Sequence, residues 1–102
     1  MSGLIITDHA ADRFRERTGL PKRLVTKTAQ KALEQGITSA DTVGQLKRYL
    51  DGLYLAHRSA NNIRTYCGRV YIFHFDTLIT VYDLPNNLRK QAEKAQRRKQ
   101  QG

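Results

Sequence analysis

An α+β fold built on one core is predicted by a change of period along the chain. Through residue 60 the apolar residues recur at helical spacing; from Asn62 they alternate, as strands require. Glycine, proline and asparagine punctuate each change, and 102 residues give room for a single modest core. The expected architecture is an antiparallel sheet of three to four strands, with a β-meander over 63–83. N-terminal helices pack on one of its faces. Residues 1–87 form the domain, and 88–102 form a basic C-terminal helix or tail.

Leu4–Ile6 is a short apolar, β-branched run that suits a strand. Thr7 or Asp8 supplies an N-cap oxygen for a first helix, which Gly19 and then Pro21 end. Pro21 opens a second helix capped by Gly36, with Leu24, Val25, Ala29, Ala32 and Leu33 as its apolar stripe. Ser39 caps a third helix burying Val43, Leu46, Leu50 and Leu53, which Gly44 weakens by about 1 kcal/mol relative to alanine.

Strands are predicted at 63–67, 69–75 and 78–83, joined by tight loops at Cys67-Gly68 and Asp76-Thr77. Asn86 or Asn87 caps a final helix over 88–100. Its apolar content is only Leu88, Ala92 and Ala95, so it is expected to fray, and its removal to leave thermal stability nearly unchanged.

Register then assigns faces, because side chains alternate along a strand. One face gathers Ile63, Thr65, Val70, Ile72, His74, Ile79 and Val81, which is the expected core face, with His74 a satisfied core histidine. The other interleaves Arg64, Tyr66, Arg69, Tyr71, Phe73, Phe75, Leu78, Thr80 and Tyr82. Rings stack on bases and arginines hold phosphates, so this second face reads either as a nucleic-acid platform or as a smaller core under a helix.

Charge narrows the function classes. Eighteen Lys plus Arg against nine Asp plus Glu leave a net charge of +9, a field that draws polyanions. The C-terminal cations Lys90, Lys94, Arg97, Arg98 and Lys99, together with Arg17 and Arg58, extend the expected nucleic-acid surface. RNA is the expected partner ahead of DNA. Cys67 is the single cysteine, so no intrachain disulfide forms and a reducing cytoplasm is the expected setting. No signal-peptide pattern, membrane-length apolar run, zinc-ligand spacing or glycine-rich phosphate loop occurs; neither a cofactor nor a metal is expected.

The first helix joins acid–base chemistry to anion binding. His9, Arg13 and Arg17 stand at i, i+4 and i+8, along one side of that helix. Its N-terminus adds positive potential beside His9, which favours a bound anion. Cleaving RNA through its 2′-hydroxyl needs a base, a donor to the leaving oxygen and cations around the phosphorane. Histidine suits the first two tasks at neutral pH. Equally, Arg13 can pair with Asp12 or Glu16, and His9 can merely fringe the first turn.

Ile5-Ile6-Thr7, then His9-Ala10-x-x-Arg13-x-x-Glu16-Arg17, then Val70-Tyr71-Ile72-Phe73 and Leu78-Ile79-Thr80-Val81-Tyr82 form a pattern. It resembles small phage and prophage proteins with a strand, an H-A-x-x-R-x-x-E-R helix and a β-meander. These in turn resemble the superfamily of barnase-like, RelE-like and colicin-type tRNase toxins. The resemblance implies N-terminal helices on a four-stranded antiparallel sheet and a metal-independent, toxin-like endoribonuclease with a cognate antitoxin. It places Tyr82 on the last strand as a catalytic group beside His9 and Arg13. The alternative expectation is a non-catalytic mobile-element protein that binds and inhibits a host protein or nucleoprotein complex.

Overall fold

The computed structural model describes residues 3–101. The chain runs β1 (Ile5–Ile6), α1 (Asp8–Thr18), α2 (Val25–Gln35), α3 (Gly44–Ala56), β2 (Asn62–Tyr66), β3 (Arg69–His74), β4 (Thr77–Asp83) and α4 (Arg89–Gln101). Short 3-10 turns precede α2, α3 and α4. The fold is α+β as expected, but its four-stranded sheet is mixed. Strand order is β1-β4-β3-β2, and β1 pairs in parallel with β4 through Ile5↔Thr77 and Ile6↔Leu78.

Helices cover both faces of the sheet, a correction to the one-sided packing expected. On one face Ala10 and Phe14 of α1 and Val25, Ala29 and Ala32 of α2 bury Tyr71, Phe73, Leu78 and Val81. On the other, Leu46 and Leu50 of α3 pack with Leu88, Ala92 and Ala95 against Ile63, Val70 and Ile72. The C-terminal helix is therefore part of the core. Leu88, from the turn before it, lies on one stripe with Ala92 and Ala95 of the helix.

Local chemistry explains the helix limits. The Thr7 side chain accepts from the Ala10 amide at 3.0 Å, and Gly19, at φ 73°, sends its amide to the Arg15 carbonyl. The Thr7 hydroxyl also donates to the Leu78 carbonyl at 3.2 Å, which pins α1's start to β4. In place of a helix starting at Ser39 there is a 3-10 turn, Ser39–Asp41, capped by Thr38. The helix α3 starts at Gly44 itself, where φ is 65°; glycine there is favourable and the expected helix-interior penalty does not arise. Val43, expected in the core, is consequently 73 % exposed.

The β2–β3 hairpin has the expected register, with Ile63↔Ile72 and Thr65↔Val70, and turns on Cys67 and Gly68, both at positive φ. The β3–β4 hairpin departs. It turns on Phe75-Asp76, pairing His74 with Thr77 and Phe73 with Leu78; a bulge then lets Ile72 pair with Thr80. Ile79 is the extra residue, and one extra residue swaps the faces of all later strand positions. Val81 joins the α1–α2 face, while Tyr82 joins the α3–α4 face, the reverse of the expectation. His74 is exposed, its Nδ1 against the Ser59 carbonyl, and is not a core residue.

Asp41 anchors the end of α4. Its carboxylate accepts from the Thr38 amide at 2.9 Å and from Lys99 Nζ at 3.3 Å. Burial alone would raise this carboxyl, but the Thr38 amide and the Lys99 ammonium outweigh it and hold it below the ordinary value of 3.8. A depressed carboxyl contributes stability above its unfolded value and loses it as pH falls through the folded one. The substitution Asp41→Asn is expected to cost about 1 kcal/mol at pH 7, the size of a lost cap. Melts of parent and variant should converge below pH 3.8; a constant gap at all pH values would assign the loss to packing.

Candidate active site

Strand β4 extends five residues beyond its pairing with β1, and α1 lies against it. His9, in the first turn of α1, keeps an exposed ring yet sets Nε2 3.3 Å from the Thr80 hydroxyl, on a residue 2 % exposed. Two positions on, the Tyr82 hydroxyl lies 3.2 Å from Nε2 of His57, with ring centroids 5.6 Å apart. Two steps along a strand cover about 6.7 Å. His9, Thr80, Tyr82 and His57 are thus linked in a row along β4 that joins α1, on one face of the sheet, to the end of α3, on the other.

The backbone fixes His57 firmly. It caps α3, donating its amide to the Leu53 carbonyl at 2.8 Å and accepting the Ala60 amide at 2.9 Å. Tyr49 of α3 lies behind Tyr82; burial pushes its phenol up, and the neighbouring Tyr82 adds to the shift. The two imidazoles occupy helix ends of opposite polarity, His9 at an N-terminus and His57 at a C-terminus.

The other predicted site residues separate into structural and exposed groups. Arg13 pairs with Glu16 at 2.6 Å and shares no hydrogen-bond partner with His9. Arg69 donates to the Arg17 carbonyl through Nε at 3.1 Å and Nη2 at 2.7 Å, and Arg64 donates to the Gly36 carbonyl at 2.8 Å. The last carbonyls of a helix have no partners within it, and these guanidiniums supply the donors for α1 and α2. Arg17 itself is half-buried, and its Nε has no partner among the described residues.

The aromatic platform does not exist as an open surface. Tyr71 is 1 % exposed and Phe73 fully buried under α1 and α2, and burial pushes the Tyr71 phenol up to about 12. Tyr66 is half-buried on the same side; burial raises its phenol, and Cys67 beside it adds. Arg58 comes directly after His57 and is exposed, as are Lys90, Lys94, Arg97 and Arg98 along α4; Lys99 is engaged by Asp41.

The structure thus brings His9 and Tyr82 to one strand and leaves Arg13 outside the row. It adds two groups that the sequence does not single out, Thr80 and His57. The sequence gives His57 no role, and only the packing of α3 and the bulge in β4 bring Tyr82 to it. Among the described residues, no three His, Cys, Asp or Glu side chains gather where they could hold a metal ion. None of the described helices is long and apolar enough to cross a membrane. No protein-family model, curated protein or solved structure matches the chain, so the row along β4 has to be interpreted from its own chemistry.

Proposed function

We propose that the protein binds nucleic acid, RNA ahead of DNA, and cleaves RNA as a metal-independent, toxin-like endoribonuclease of the reducing cytoplasm. The observation that carries this reading is the row His9, Thr80, Tyr82 and His57 on a chain of net charge +9. In this reading His9 accepts the 2′-hydroxyl proton at Nδ1, the nitrogen that Thr80 does not engage, as the 2′-oxygen attacks the adjacent phosphorus. The bond to the 5′-oxygen breaks, and the His57–Tyr82 couple returns a proton to that oxygen. A 2′,3′-cyclic phosphate and a 5′-hydroxyl result. Thr80 is a positioning residue that holds the His9 ring, and Arg58 offers its exposed charge to the phosphate. Acid–base help of this kind is worth ~10²–10⁴-fold, without any metal.

Labelled RNA incubated with the protein in EDTA tests it: fragments ending in 2′,3′-cyclic phosphate are expected. Intact RNA, together with normal growth of cells expressing the protein, would reject cleavage and leave the inhibitor of a host complex as the reading. Growth arrest relieved by an antitoxin would support the toxin-like form.

Binding has its own expected signature. The exposed cations of α4 and Arg58 would displace counterions, so affinity for RNA should drop ~10²-fold or more between about 50 and 200 mM salt. A flat salt response, measured by fluorescence anisotropy, would reject electrostatic binding.

A further inference from the structure

A second polar site lies on the α3–α4 face at the β2 edge of the sheet, between the β2–β3 turn and α4. There a cavity of about 430 Å³ is lined by Thr65, Gly68, Arg89, Glu93 and Arg97, among others. Ligand sites for small molecules are typically ~300–1,000 Å³. Three features set it apart from an ordinary surface groove.

Thr65 is one of the lining residues; it is 2 % exposed, and its buried Oγ1 has no hydrogen-bond partner among the described residues. A buried polar atom without a partner is costly, and such atoms call for a group that completes them. Arg89, Glu93 and Arg97 recur at i, i+4 and i+8 on α4, yet none forms an ion pair among the described residues. The Arg89 guanidinium instead lies beside Gly68 of the β2–β3 turn. Finally, the α4 wall is fixed in place. Gln96 donates to the Gln35 carbonyl at 2.7 Å, and Lys99 reaches Asp41.

We propose that this cleft binds a free ribonucleoside monophosphate. The guanidiniums of Arg89 and Arg97 suit phosphate oxygens, which they bind as planar forks. Between them Glu93 is placed to accept hydroxyl protons from a ribose diol, the role an acidic residue plays towards ribose in dinucleotide sites. The Thr65 hydroxyl completes a polar edge of the base. The site shares no residue with the His9 to His57 row, and it does not depend on RNA cleavage.

Isothermal titration of the full chain with AMP, GMP, CMP and UMP, and with inorganic phosphate as reference, tests the proposal. At least one nucleotide should bind with Kd below about 1 mM and at least ~10-fold more tightly than phosphate. Arg97→Gln and Thr65→Val should each weaken that binding at least ~10-fold, with Tm unchanged or, for Thr65→Val, raised. Lys31→Gln, which removes the same charge from an exposed position on α2, should leave Kd unaltered. Absence of binding by all four nucleotides, or phosphate binding as tight as theirs, would overturn the proposal. So would equal weakening by Lys31→Gln, or full affinity in Arg97→Gln or Thr65→Val. None of these readouts uses RNA, so their failure is separate from failure of the ribonuclease reading.

Discussion

A chain ending at Pro85 should have no cooperative thermal transition. Removing α4 and the turn before it strips Leu88, Ala92 and Ala95 from the layer that covers Ile63, Val70 and Ile72. Replacing a buried leucine such as Leu88 by alanine costs about 2–5 kcal/mol by itself, against a total of about 5–15 for a domain. Leu88→Ala alone should therefore lower Tm by ~10 °C or more. The sequence points the other way, to a basic arm whose loss would leave stability nearly unchanged. Circular dichroism melts of the truncated chain decide between them: a midpoint within a few degrees of the parent's would make α4 an accessory arm.

Loss of either imidazole should abolish most RNA cleavage. His9→Ala and His57→Ala are each expected to reduce kcat ~10²–10⁴-fold, since each removes one partner of an acid–base pair. His9 is exposed and His57 half-buried, so both variants should melt close to the parent. Thr80→Val should act more mildly, lowering kcat while KM holds, because it frees the His9 ring without removing it. Activity that tracks Tm across the series, or full activity in His57→Ala, would sink the assignment of the row.

Much of the fold is legible in the sequence because local chemistry carries it. The Thr7 cap, the Gly19 stop at φ 73° and the Gly68 turn at φ 77° each leave a residue type that the local conformation favours. The illegible parts depend on distant packing. A two-residue strand carries no mark of its partner's direction, so the parallel β1–β4 pairing is invisible in it. Phe75 takes φ 52° against its preference, which shifts the second hairpin by one residue. The bulge at Ile79 then changes the side that Tyr82 faces, and with it the site. His9 stands out because helical spacing is local; His57 does not, because its partner lies 25 positions away, across a layer interface.

The parallel pairing of β1 also sets the order in which the molecule can be built. Leaving a ribosome, β1 and α1 emerge first but must wait for residues 77–83 before they have a strand to rest on. Closing so long a loop is slow compared with forming α2, α3 or the β2–β3 hairpin, which need only near neighbours. The contact between His9 and Thr80 spans 71 positions and closes among the last. Most of the chain is therefore made before the row along β4 can form, and the cations of α4, from Arg89 to Lys99, emerge only after that strand.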